Sequence, residues 1–194
     1  MTDSSSSARQ ILAVLAQQHT GRETTPEMPE SVASGASGRS IMRVHGLMAI
    51  HWTGARADNN SFLPAAHGLA AAGIRVPAIV AEQSLPDACG ACLTEDLGTL
   101  DILSLKNAPE EEKLEAYRRA IDTLIPFWQL KPDWELQPAF DAPMYRWEQE
   151  YFAEHFIGRH LGQSAEDFLK QPALQDMAAW LATLPRVPVH RDCQ

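Results

Sequence analysis

The 194-residue chain is 45% hydrophobic and 21% charged, a balance that supports a packed core and excludes a disordered polymer. It carries 16 Lys and Arg against 25 Asp and Glu, a formal charge of −9. That field is ill suited to coating nucleic acid or an anionic membrane, though a local basic pocket for phosphates stays compatible with it. Three cysteines, Cys89, Cys92 and Cys193, are too few and too odd for a disulfide scaffold and suit a reducing cytoplasm. The Ser-rich start lacks an apolar leader segment, and the most apolar stretch, 62–81, is broken by His67, Arg75 and Pro77, so neither a secretory leader nor a membrane span is expected.

In chain order, residues 1–8 read as a disordered tail. Ile11, Leu12, Val14 and Leu15 form a short helical stripe. Segment 20–37, rich in Pro, Ser, Thr, Glu and Gly, reads as a loop or an irregular strand. Segments 40–44 and 46–52 are strands joined by a turn at His45 and Gly46. Asp58 is placed as the N-cap of a helix that Gly73 stops near Ala72. A strand follows over 74–81, then a turn at 86–90 and a strand over 91–95. This half reads as one helix against an antiparallel sheet.

Beyond Gly98 the pattern turns helical. Asn107 followed by Glu110 has the spacing of a capping box. Leu114, Tyr117, Ile121, Leu124, Ile125 and Trp128 make the stripe of a long helix that Pro132 ends. A second helix is expected over 145–161, with Trp147, Tyr151, Phe152 and Phe156 inward and Gly162 closing it. Ser164 starts a short helix, and 173–184 forms another with Leu174, Met177, Leu181 and Leu184. Val187 to Val189 then leads, extended, into His190-Arg191-Asp192.

That last tripeptide carries chemistry. Transfer of a phosphoryl group to a hydroxyl needs a carboxylate that orients the acceptor oxygen and takes its proton, and kinase catalytic loops supply it as H-R-D-x-x-x-x-N. Alone, the tripeptide is better read as a salt-bridging surface loop. Its context reverses that reading. Cys92-Leu93-Thr94-Glu95-Asp96-Leu97-Gly98 closes the sheet-forming half, and it resembles the L-x-x-E-D-L-G segment that links the lobes of aminoglycoside-phosphotransferase-like kinases. Gly73-Ile74-Arg75-Val76-Pro77-Ala78-Ile79-Val80-Ala81-Glu82 resembles a strand of that family. Trp147-Glu148-Gln149-Glu150-Tyr151-Phe152 and Gly158-Arg159-His160-Leu161-Gly162 resemble its first C-lobe helices. These segments cover most of 34–194 in the family's order, and their spacing is most like that of the bacterial cell-wall amino-sugar kinases.

The resemblance implies an α+β, protein-kinase-like two-lobe fold, with an N-lobe over 9–98 and a helical C-lobe over 99–194 cut off inside the catalytic loop. It implies ATP and Mg²⁺, a cytoplasmic small-molecule kinase acting on a sugar or amino sugar in cell wall recycling, of which this chain would be an inactive fragment, and neither nucleic-acid nor membrane partners. Asp192 would be the base and His190 its brace. Glu95, Asp96 and Leu97 would offer backbone to adenine, and Gly35 and Gly38 would flank a phosphate-covering loop, although an ordinary hairpin explains those glycines equally well. An aminoglycoside or choline-like kinase, or a non-catalytic nucleotide-binding or scaffold module, are the alternatives. The third strand, Leu47-Met48-Ala49-Ile50-His51-Trp52, lacks the family's phosphate-binding Lys; His51 or Arg56 would substitute, or nothing would. No metal ligand is assigned. Cys89-Gly90-Ala91-Cys92 has no second pair to complete a zinc site and reads as two reduced thiols in a hairpin.

Overall fold

The computed structural model describes residues 3–34, 38–134 and 139–190. The chain divides into two compact units, Met1–Leu136 and Gln137–Gln194.

The first unit is built on a five-stranded antiparallel sheet in the order β1-β2-β3-β5-β4. Its strands are β1 (Glu30–Ser34), β2 (Arg39–Val44), β3 (Leu47–Trp52), β4 (Ile79–Ser84) and β5 (Gly90–Glu95). The expected loop or irregular strand over 20–37 contains β1, an edge strand whose register slips between Ser31 and Ala33. The β2–β3 hairpin closes with two residues, His45 and Gly46, at φ 52° and 77°. Both positions are left-handed, as the hairpin turn that matches strand twist requires. His45 tolerates its conformation while its Nε2 meets Thr24 Oγ1 at 2.8 Å.

Helix α1 (Asp3–Thr20) lies on one face of the sheet. Its stripe of Leu12, Leu15 and Ala16 packs with Met42, Val44, Ala49, Ala91 and Leu93 to form the core. Leu12 is fully buried, which contributes about 1.5–3 kcal/mol for such a side chain. The expected tail 1–8 is helical from Asp3 onward. Ala8 is buried at 1% exposure and the Arg9 Nη1 donates to Pro29 O at 2.7 Å, so the helix is anchored well before its apolar stripe begins.

The helix expected against the sheet, α2 (Phe62–Ala71), buries no residue completely. Asp58 is not its N-cap. A short 3₁₀ turn, Ala57–Ser61, precedes it, and the Asp58 carboxylate instead takes both Arg56 Nε and Nη2. Gly73 does end the helix, at φ 77°. The following strand starts at Ile79 rather than at 74, because Pro77 cannot donate to a ladder.

The long helix α3 (Glu110–Gln129) also falls in the first unit. Asn107 does not cap it; Pro109 stands at the N-cap. A proline disfavours helical backbone in the residue before it, so the helix cannot reach back to Asn107. A true capping box forms earlier, where Asp101 and Ser104 exchange bonds around the 3₁₀ turn Ile102–Leu105. The α3 stripe is exposed along its length, with Tyr117 at 55% and Ile121 at 51%; Ala116 is its buried residue.

The second unit is helical. Asp141 caps α4 (Ala142–Phe152) by accepting from Met144 N at 2.9 Å. The helix runs on as a π-helix over Ala153–His160 and ends at left-handed Gly162. Ser164 caps α5 (Ala165–Leu169), as its sequence position indicates. Gln149 Nε2 donates to Leu174 O at 2.9 Å and so ties α4 to α6 (Pro172–Leu181). The aromatic stripe expected to point inward is largely exposed, with Trp147 at 53% and Tyr151 at 54%, while small Ala153 and Ala178 are buried. Periodicity defines an apolar face but not what covers it.

Candidate functional site

Side chains alternate across a strand, so the sheet pairing sorts the residues of β2, β3 and β5 onto two faces. One face, under α1, carries the rows Ser40–His51–Ala91 and Met42–Ala49–Leu93. The other carries Arg39–Trp52–Gly90, Ile41–Ile50–Cys92 and Arg43–Met48–Thr94. Elements around α2 pack on this second face. Phe62 meets the Trp52 ring edge-on at 5.6 Å, and His67 Nε2 lies 2.7 Å from Glu82 Oε2 on β4. Trp52 rests directly on Gly90, where an added Cβ would come within 2.3 Å of the indole. The glycine is required by that close approach.

Segment Glu95–Gly98 leaves the interior strand β5 at the Arg43 end of this face. Glu95 N donates to Ala78 O at 2.9 Å. The Asp96 carboxylate is bracketed twice: by the Arg43 guanidinium, through Nε and through Nη2 at 3.2 Å, and by Gly98 N at 2.9 Å. These bonds hold its pKa below the usual carboxylate value, the Arg43 contact contributing most. Leu97 is 62% exposed beside it. The Asp96 side chain therefore anchors this segment to β2, a role that its spacing did not reveal, and Arg43 is its missed partner.

Gly38 stands at the opposite end of β2 with φ 67°, a conformation that favours glycine. Gly35 lies outside the described residues. His51 does not take the place of the missing Lys. It shares the α1 face with Ala49 and Ala91, is 8% exposed, and burial pushes its pKa down, so it is held as a neutral core group. Arg56 is engaged by Asp58. The cation best placed on the second face is Arg39, which sequence reading passed over. Its Nε donates to Asn59 Oδ1 at 2.8 Å and its Cζ stands 4.5 Å above the Phe62 ring. Asn59 is buried to 1% exposure. The alternation of β3 was the available signal: Trp52 and Ile50 define this face, and their β2 partners are Arg39 and Ile41.

Cys89 and Cys92 are free thiols. Burial pushes the Cys92 pKa up to about 12, far from the range of a reactive or metal-binding thiolate. His155 packs tilted against Tyr151 at 4.2 Å and His160 stacks on Phe156 at 5.3 Å, which accounts for both as packing groups. His190 is exposed, and Asp192 and Cys193 lie outside the described residues. Among the described residues no three His, Cys, Asp or Glu side chains converge to hold a metal ion, and no helix is long and apolar enough to cross a membrane.

An antiparallel sheet with a helix on one face, a cationic second face and an acidic segment leaving an interior strand, together with a separate helical unit, is α+β architecture of the protein-kinase-like kind. The chain belongs to the phosphotransferase enzyme family, APH, which residues 30–194 match. It is 37% identical over 134 residues to the N-acetylmuramate/N-acetylglucosamine kinase of Pseudomonas putida, covering 68% of this chain and 38% of that protein. It is 35% identical over 149 residues to the N-acetylmuramate/N-acetylglucosamine kinase of Pseudomonas aeruginosa, covering 70% of this chain and 39% of that protein. The chain thus spans about two fifths of the length of these curated relatives.

Proposed function

We propose that the protein transfers the γ-phosphoryl group of ATP to a hydroxyl of a small molecule, an amino sugar, in the cytoplasm. What carries this reading is the acidic linker, which leaves an interior strand at the edge of a cationic sheet face, within a chain similar to two amino-sugar kinases. The backbone of Glu95, Asp96 and Leu97 meets the adenine edge, with the Arg43–Asp96 bracket fixing the linker to β2. Gly38, and Gly35 before it, supply permissive backbone near the phosphates.

In the reaction the acceptor oxygen attacks the γ-phosphorus. The bond from that phosphorus to the β–γ bridging oxygen breaks, ADP leaves, and the acceptor proton passes to the Asp192 carboxylate. His190 braces the segment that presents Asp192. Mg²⁺ neutralises charge on the phosphates in phosphoryl transfer of this kind. Among the described residues no cluster of His, Cys, Asp or Glu offers a ligand set for it.

The test is turnover by the longest natural form of the protein with ATP and N-acetylmuramate, N-acetylglucosamine, an aminoglycoside or choline. Phosphorylation of N-acetylmuramate or N-acetylglucosamine is expected; transfer to the aminoglycoside or choline alone, or to none of the four, would overturn the reading. In the same protein Asp192→Asn should lower kcat by about 10²–10⁴-fold with ATP affinity little changed. A structural Asp192 would instead lower the melting temperature and leave kcat per folded molecule near normal.

A further inference from the structure

The arginines of the second sheet face and its margin are engaged in different ways. Arg43 is closed off by Asp96, and Arg56 by Asp58. Among the described residues Arg39 forms no ion pair. It is held by a neutral acceptor, the buried Asn59 amide, and by the face of Phe62. Those two contacts fix the plane of the guanidinium while drawing on its Nε alone, so its two Nη groups remain for a ligand. A guanidinium presents its donors in a rigid fork matched to phosphate oxygens. Burial works against the charged form of Arg39 and lowers its pKa, an effect that the nearby Asp58 carboxylate partly offsets and Arg56 reinforces. A half-buried cation without its own carboxylate gains from an anion at that position.

The placement along the sheet agrees. Arg39 opens β2 immediately after left-handed Gly38, and Arg43 marks the linker end of the same face. The two are four residues apart on one strand, or about 13 Å at the usual rise of ~3.3 Å per residue. A nucleotide whose base sits on the linker, extended along the face, carries its phosphate chain toward Arg39. The third strand supplies no cation on this face, which there carries Met48, Ile50 and Trp52.

We propose that Arg39 is the phosphate-binding cation of this sheet, contacting the β- or γ-phosphate of the nucleotide through its Nη groups while Asn59 and Phe62 orient it. This deepens the nucleotide-binding reading above and rests on it. The charge absent from the third strand is supplied from the second.

Calorimetric titration of the chain with ADP and with adenosine, in Mg²⁺ buffer, tests the assignment. The unaltered chain should bind ADP more tightly than adenosine. Arg39→Gln should lose ADP affinity by about tenfold to a hundredfold, the usual effect of a charged hydrogen bond, with adenosine affinity unchanged. Arg39→Lys should recover part of the loss, since an ammonium keeps the charge without the fork. Equal weakening of ADP and adenosine, or an unchanged ratio between them, would overturn the assignment while leaving nucleotide binding intact. Failure of the unaltered chain to bind either ligand would overturn both. Thermal melts of the same samples establish that each variant is folded, and if Arg39→Gln does not fold, Arg39→Lys carries the comparison of the two ligands.

Discussion

The two faces of the sheet come from the same strands, residue by residue in alternation, yet they are built to opposite ends. Beneath α1 lie Met42, Ala49, Ala91 and Leu93, with His51 kept neutral among them. On the other face stand Arg39, Arg43 and Trp52, each committed to a specific polar or aromatic partner. The first face stabilises by apolar area removed from water, which is insensitive to charge and nearly additive. The second holds charged groups in chosen orientations and gives up packing to do so. A one-residue register slip would exchange them, which is why the tight His45–Gly46 turn matters to function as well as to folding.

Changes on the α1 face should affect stability alone. Leu93→Ala removes a fully buried side chain from the centre of the core and should cost about 2–5 kcal/mol. Denaturant unfolding checks the magnitude. ADP affinity per folded molecule should stay the same, and a matching loss of affinity would mean that the two faces are not independent.

A smaller effect, of a different kind, is expected at the linker. The pKa of Asp96 is depressed in the folded chain from an ordinary 3.8. A carboxylate with a lowered folded pKa contributes stability that is present above its unfolded value and lost as the pH falls through the folded one. Asp96→Asn should therefore flatten the acid limb of the stability profile below about pH 4 and weaken ADP severalfold by loosening the linker, with both differences shrinking in acid. An acid limb unchanged by the substitution would remove Asp96 from the account.

Much of this was legible in the sequence, for physical reasons that differ by region. Strands β2, β3 and β5 follow from short apolar runs bounded by His45–Gly46 and Gly90. The Ser164 cap was legible because it is local. What failed was either non-local or vetoed by a neighbour. Asn107 and Glu110 have capping-box spacing, but Pro109 between them forbids it. Arg39 looks like any strand-opening arginine until Asn59, twenty residues away, is brought to it. His51 was excluded by parity alone, since Ala49 and Trp52 place it on the face away from Ile50. The stripes of α3 and α4 were read correctly as apolar faces, and that of α4 wrongly as one pointing inward.

The most direct test of the central claim, that the linker and the second sheet face hold a nucleotide, is amide hydrogen exchange on the chain with and without ADP. The account predicts slowed exchange at Glu95–Gly98 and at the start of β2 around Arg39, with α1 unchanged beyond a general stabilisation. Protection confined to α1 or to the second unit, or no protection at saturating ADP, would contradict it.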